Sequence, residues 1–242
     1  MPEILKWLIT GLMAYLSSTL SGVAGFGGAM IFLPFLIALY GVRASVPILT
    51  VAVLLGNASR VYFNRRELDF KVFSRFSLGA IPLAIIGSCL YVSLPGVVIK
   101  KSIGVFLLFT VIFRHIKKDF KFTQSWAFVP VGMLNGFLSA LVGGVGPLAA
   151  PFFLAYGLTK EAFVGTEALC ATVMHIVKSF TYSRLAVLGQ KEFWGGLSFG
   201  FIMVLGSYTA KKILEKIPPE KYLVLVEALL GIVGLVMLFQ KG

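Results

Sequence analysis

Charge is what this sequence has least of. Asp, Glu, Lys and Arg make up 13% of its 242 residues, about half the share of an ordinary soluble domain. A chain that is 58% hydrophobic has too little polar surface to stay in solution, so a soluble fold is excluded. Histidine and cysteine are scarcer still, with two of each. Cys89 and Cys170 fall in apolar stretches without a CxxC partner, which excludes a disulfide framework and leaves them as small core residues. With only His115 and His175, no histidine metal site is expected. No GxSxG, HExxH or P-loop signature occurs, so neither a catalytic set nor ATP-driven work within the chain is expected, and no cofactor is implied. Gly144-Val-Gly146-Pro-Leu-Ala149 fits a dinucleotide-binding pattern by its letters. Pro147 falls inside it and no soluble strand precedes it, which rules the match out.

Acidic residues are rarer than basic ones, 10 against 22, for a net charge of +12. That excess does not point to nucleic acid. The basic residues gather between apolar runs, at Arg60, Arg65, Arg66, Lys71 and Arg75 and again at Arg114, Lys117, Lys118 and Lys121. This is the pattern of cytoplasmic loops facing anionic lipid; a basic vestibule for an anionic substrate is the lesser alternative. One lysine precedes the first apolar run and no small-residue cleavage site follows it, so the first helix is expected to be kept rather than removed as a signal peptide.

What is abundant is long uncharged sequence. No charged residue occurs from Trp7 to Val42 or from Phe122 to Thr159. As one straight helix the first run would be ~54 Å long, against a hydrocarbon core of about 30 Å. It must break or fold back, and Gly25-Phe26-Gly27-Gly28 is where. The arm that follows, Ala29 to Gly41, contains Pro34 and is short for a full crossing. The second run is interrupted in the same way at Gly143-Gly144-Val-Gly146. Lipid offers backbone groups no outside partner, so the fold class is an all-α integral membrane protein.

The remaining spans follow each break in the same order. Ala44 to Asn64, Phe73 to Leu94 and Val97 to Phe113 follow the first; Lys160 to Tyr182, Phe193 to Ala210 and Tyr222 to Phe239 follow the second. A Pro95-Gly96 turn matches a Pro218-Pro219 turn. At a shift of 116 residues, Gly27-Gly28 falls on Gly143-Gly144, Gly41 on Gly157 and Thr50 on Thr166. We read two homologous halves, 1–121 and 122–242, each of four to five helical segments, whose glycine-broken or re-entrant helices meet near mid-membrane. If each short arm crosses, the halves are inverted. If each is re-entrant, they are parallel. The expectation is eight full crossings plus two partial ones.

Broken membrane helices place bare N–H groups and a helix N-terminus in a gap, which suits an anion. Close packing through small residues is the plain alternative, and Gly132-Met-Leu-Asn-Gly136 and Gly196-Leu-Ser-Phe-Gly200 are read that way. The candidate substrate-binding backbone is therefore Gly25, Phe26, Gly27, Gly28, Gly143, Gly144 and Gly146. Ionisable side chains at membrane depth are costly and mark function by default. Glu167, His175 and Lys178 project from roughly one face of one span. Lys178 or Arg60 could pair with an anion, and Glu167 or His175 could carry a proton. An internal Glu167–Lys178 ion pair is the alternative. Thr50, Thr166 and Asn57 complete the polar candidates. Glu227, alone in the last span, carries no expectation.

The break at Gly22-Val-Ala-Gly-Phe-Gly-Gly28, followed by Pro34, Gly41, the Thr50 span and a basic loop ending Glu67-Leu-Asp-Phe70, resembles the TauE/SafE sulfite exporter family, also called the 4-toluene sulfonate uptake permease family. The second-half Gly-Gly-Val-Gly-Pro and the Gly165-Thr166 span fit as well. The resemblance implies a multi-pass secondary transporter of the cell inner (plasma) membrane. Its partners would be the lipid bilayer and a small sulfur-containing anion, such as sulfite, thiosulfate, sulfoacetate or an organosulfonate, with protons as the expected coupling ion. It also implies two homologous halves. Glu167, His175 and Lys178 depart from a span that the family is expected to keep largely neutral. An uncoupled anion channel and an intramembrane enzyme are the other readings.

Overall fold

A computed structural model of the chain describes residues 2–99, 101 and 124–218. Most of the expected span Val97–Phe113, the basic segment 114–121 with His115, Pro219 of the second turn, and the span Tyr222–Phe239 with Glu227 lie outside the described residues. The first helix, α1 (Glu3–Ala24), ends because Gly25 takes φ +83° and turns its N–H back to the Ser21 carbonyl at 2.8 Å. A left-handed residue at this position is the usual glycine stop. Two residues later the chain starts again as α2 (Gly28–Tyr40). The same construction recurs 118 residues on. After a 3-10 turn at Ser125–Ala127, α5 (Phe128–Val142) stops at Gly143, with φ +89° and its N–H on the Ser139 carbonyl at 3.0 Å, and α6 (Gly146–Ala155) begins. At the breaks the matching spacing is therefore 118, Gly25 with Gly143 and Gly28 with Gly146, rather than the 116 read from the letters. The shift of 116 holds only at Gly41 and Gly157, both with positive φ, because α6 is shorter than α2.

Each short arm turns back. The Tyr40 hydroxyl lies 3.5 Å from Thr10 Oγ1, and Lys6 Nζ sits 4.1 Å above the Tyr40 ring, so the end of α2 is level with the start of α1. Likewise the Phe128 ring at the start of α5 meets Phe153 and Tyr156 at the end of α6, with centroids 5.1 and 5.4 Å away. At ~20 Å and ~15 Å, α2 and α6 are shorter than the hydrocarbon core. The two short arms are thus partial, and two of the eight expected full crossings, Val97–Phe113 and Tyr222–Phe239, lie largely outside the described residues. Each long arm and its short arm form one hairpin, and the hairpin returns the chain to the face it came from.

Among the described residues, the remaining long helices are α3 (Val42–Phe63), α4 (Phe70–Ser93), α7 (Lys160–Arg184) and α8 (Gln190–Glu215). Asp69 starts α4 by accepting the Val72 N–H at 2.9 Å, a normal N-cap. Among the described residues, five stretches are long and apolar enough to cross a membrane: α1, α3, α4, Ser125–Val142 and α8. The 25-residue α7 is too polar for that test, yet it packs against α3 and α4 in the middle of the bundle.

Contacts fix the direction of every element. Arg43 donates to the Leu94 carbonyl at 3.0 Å, and Tyr91 packs on Tyr182 at 5.3 Å, which puts the start of α3 and the ends of α4 and α7 at one face. Lys211 donates to Asn64 Oδ1 at 3.2 Å, and the Asp69 N–H donates to Thr166 Oγ1 at 2.9 Å, at the other. Along the α4–α5 seam, Gly132 sits on Phe76 and Gly136 on Ala80, while Gly87 sits on Phe137 and Ala140, so α5 runs parallel to α4. Its start lies at the face opposite the start of α1. The two hairpins thus enter from opposite faces, although re-entrant arms were expected to go with parallel halves. Both glycine pairs read as packing motifs do pack: Gly132 and Gly136 on α4, Gly196 and Gly200 on α3. Small residues let backbones approach where no hydrophobic effect drives association.

Candidate functional site

The tips of the two hairpins meet. Gly144 lies against Ala29; a Cβ on Gly146 would stand 2.9 Å from Phe26 Cβ and 3.5 Å from the Gly27 nitrogen. Between them is a cavity of about 50 Å³, room for about three or four waters. Its floor is backbone: Phe26, Gly27, Gly28 and Ala29 from one break and Gly144, Val145 and Gly146 from the other. Neither α2 nor α6 has a side-chain cap at its start. The first-turn N–H groups of a helix have no intrahelical partner, and each start carries roughly half a positive charge; in α6, however, Pro147 has no N–H and the Leu148 N–H donates to the Val145 carbonyl at 3.0 Å, so Gly146 is the first-turn donor left beside the cavity.

The opposite ends of the breaks are neutralised. Arg60 reaches from α3 to the Ser21 carbonyl in the last turn of α1, at 3.0 Å. Lys178 reaches from α7 to the Ser139 and Gly143 carbonyls at the end of α5, both at 3.2 Å. Cations at helix C-termini offset the negative end of the dipole. Lys178 lies 118 residues after Arg60, the same spacing as the glycine stops. With both negative ends capped by cations and both positive ends facing the gap without a side-chain cap, the gap favours an anion.

The two cations are not equivalent. Lys178 is fully buried, bonded to those carbonyls, and does not line the cavity. Arg60 does line it. Its guanidinium also donates to Asn57 Oδ1, and Nη1 lies 3.7 Å from Glu167 Oε2. The Glu167 partner is therefore Arg60, not Lys178. At 7% exposure Glu167 is buried, and its Oε2 accepts no hydrogen bond; buried Nδ1 of His175 and Nδ2 of Asn135 are likewise unpartnered. All three residues line the cavity. Buried polar groups are normally satisfied by hydrogen bonds; beside the Arg60–Glu167 ion pair, the Asn135 and His175 nitrogens give this cavity polar groups that a bound molecule would satisfy, while the other unpartnered buried atoms among the described residues are the hydroxyls of Ser77, Ser88 and Ser179.

Nearly the whole chain matches one family model. It is that of the sulfite exporter TauE/SafE, over residues 10–237. The chain belongs to this family. Comparisons with curated proteins and with solved structures return no match. Membership makes this TauE/SafE chain a multi-pass membrane protein of a transporter family.

Of the residues proposed from sequence, Phe26, Gly27, Gly28, Asn57, Arg60, Gly144, Gly146, Glu167 and His175 come together there. Gly25 and Gly143 do not line it; they stop the helices behind it. Thr50 and Thr166 are also elsewhere. Thr50 Oγ1 donates to the Val46 carbonyl at 2.8 Å on its own helix, and Thr166 Oγ1 accepts the Asp69 N–H. A threonine in a helix satisfies itself on the preceding turn whenever no better partner is near. Sequence reasoning missed Asn135, Ser18, Ser21 and Ser139, which all line the cavity. Asn135 and Ser139, four residues apart, share one face of α5, and both line the cavity. That spacing was the available signal.

Proposed function

We propose that this protein is a proton-coupled secondary carrier of a small sulfur-containing oxyanion of the sulfite type, working by alternating access. The observation that carries this reading is the convergence of two uncapped helix starts and Arg60 on one cavity. Oxyanion oxygens accept from the N–H groups that open α2 and α6, and the Arg60 guanidinium supplies full charge. Glu167 faces the same guanidinium. As a carboxylate it opposes a second anion; with a proton added at its carboxyl oxygen that opposition is gone. Anion and proton then load together, and His175 offers a second proton-accepting position on the same wall.

Residues 1–121 and 122–242 serve as two inverted repeats in this scheme. Support comes from the hairpins entering from opposite faces, the spacing shared by both helix stops and both capping cations, and the exchange of partners. The long arm α1 packs on α8, and α5 packs on α4. One half rocks against the other across the α3–α7 contact. Arg65, Arg66, Lys71 and Arg75 lie at the face where α3 ends and α4 begins, which sets that face in the cytoplasm by the positive-inside rule, with the plasma membrane as the setting.

Equilibrium binding of radiolabelled sulfite to the purified protein tests the site. Arg60→Ala is expected to weaken binding ~30-fold or more, since truncating one partner of a buried charge pair costs about 2–5 kcal/mol. Unchanged binding would remove Arg60 from the site. An uncoupled channel would show itself in vesicles by failing to accumulate anion against its gradient.

A further inference from the structure

Asn135 stands between a cavity and a groove. On one side is the polar cavity of about 50 Å³ at the hairpin tips; on the other is an open apolar groove of about 280 Å³ along α5 and α6. The second is walled by Pro130, Val131, Leu134, Leu148, Ala149 and Phe152, and Asn135 is the residue common to both. Its side chain is 3% exposed and its amide nitrogen has no hydrogen-bond partner. A buried amide donor without a partner costs about 1–3 kcal/mol. Flanking Gly132 and Gly136 hold α5 against the backbone of α4 at Phe76 and Ala80, so α5 cannot easily rotate to give the amide another partner.

The geometry points to Asn135 as a specificity-determining residue of the anion site, with two separable roles. This rests on the carrier reading above and adds the substrate class to it. First, the amide N–H₂ donates to an anion held at the starts of α2 and α6, completing from the long arm of the second hairpin a donor set otherwise made of backbone and Arg60. Second, the side chain closes the polar cavity against the apolar groove. The polar cavity alone holds about three or four waters, the size of an inorganic oxyanion. An organic sulfonate needs further room for its tail, and an apolar space that could take one lies behind Asn135. The substrate class is therefore a tail-less inorganic oxyanion.

Uptake of radiolabelled sulfite into proteoliposomes, with and without butanesulfonate as competitor, tests both roles. For the wild type, butanesulfonate is expected not to compete. Asn135→Leu keeps the wall and removes the donor: KM for sulfite rises about tenfold or more, as for one lost hydrogen bond to a charged group, Vmax is kept, and butanesulfonate still does not compete. Asn135→Ala removes both: KM rises and butanesulfonate becomes a competitor. A role in packing alone would lower Vmax and folded yield without creating that competition. Unchanged KM in Asn135→Leu, which does not depend on the alanine variant folding, overturns the donor role. Equal competition in wild type and Asn135→Ala overturns the wall. If the wild type takes up no oxyanion at all, the carrier reading fails and this proposal with it, an outcome distinct from both of the others.

Discussion

At the scale of single residues, the charged side chains that line the cavity are Arg60 and Glu167. Glu167 and Arg60 oppose each other across 3.7 Å with little solvent between them. If Glu167 is the proton carrier, Glu167→Gln fixes its neutral form. Anion exchange should persist, while the stimulation of uptake by acid on the loading side should vanish. Exchange flux measured at two external pH values checks this; a retained pH response would move the role to His175. Gly146 makes a second residue-scale case. A Cβ there would stand 2.9 Å from Phe26 Cβ and 3.2 Å from Glu167 Oε1, so Gly146→Ala must push the two tips apart or displace the carboxylate. Sulfite affinity is expected to fall at least ~10-fold, a cost of about 1.4 kcal/mol, measured by the same binding assay.

At the scale of elements, the unit is a helix stop, a restart and a cation that caps the stop. Lys178 and Arg60 both cap, yet only Arg60 faces the cavity, so their loss should read differently. Lys178→Met leaves the Ser139 and Gly143 carbonyls without this partner and should destabilise the protein by about 1–3 kcal/mol, seen as a lower Tm in detergent, with sulfite affinity within a few-fold of wild type. Arg60→Met should lose affinity first. The breaks were legible in the sequence because an uncharged run of that length cannot fit a bilayer as one straight helix, and it yields at its glycine cluster. The reversal of the chain at each break was not. Hydropathy is the same whether a short apolar arm continues or returns, and only Tyr40 against Thr10 or Phe128 against Tyr156 settles it. The polar span α7 was recognised as central from Glu167, His175 and Lys178. Which of them faces the cavity depends on a contact with α5 that no periodicity within α7 contains. Thr50 and Thr166 misled because their hydroxyls can be satisfied within a turn or by a neighbouring N–H, and sequence does not say which.

At the scale of the whole molecule, two hairpins enter from opposite faces and meet at their tips between the long helices α3, α4, α7 and α8. That arrangement can be checked without any substrate. In a Cys89→Ser background, with Cys170 buried, single cysteines at Glu67 and Gln124 should react with an impermeant maleimide from one side of the membrane. Cysteines at Ser93 and Gln190 should react from the other. Glu67 and Gln124 labelling from different sides would break the opposed entry of the hairpins. The same layout accounts for so basic a chain without nucleic acid: Arg65, Arg66, Lys71 and Arg75 sit at one face beside the α3–α4 loop, where anionic lipid is the nearest partner.

Coupled transport through one shared site is tested most directly by sulfite accumulation in proteoliposomes. With an acid exterior and the membrane potential clamped to zero, radiolabelled sulfite should accumulate inside above its equilibrium distribution in wild-type vesicles. It should only equilibrate with Glu167→Gln and should enter negligibly with Arg60→Ala. Wild-type vesicles that merely equilibrate sulfite, or Arg60→Ala vesicles that accumulate it as well as the wild type, would contradict a proton-coupled anion site at the hairpin tips.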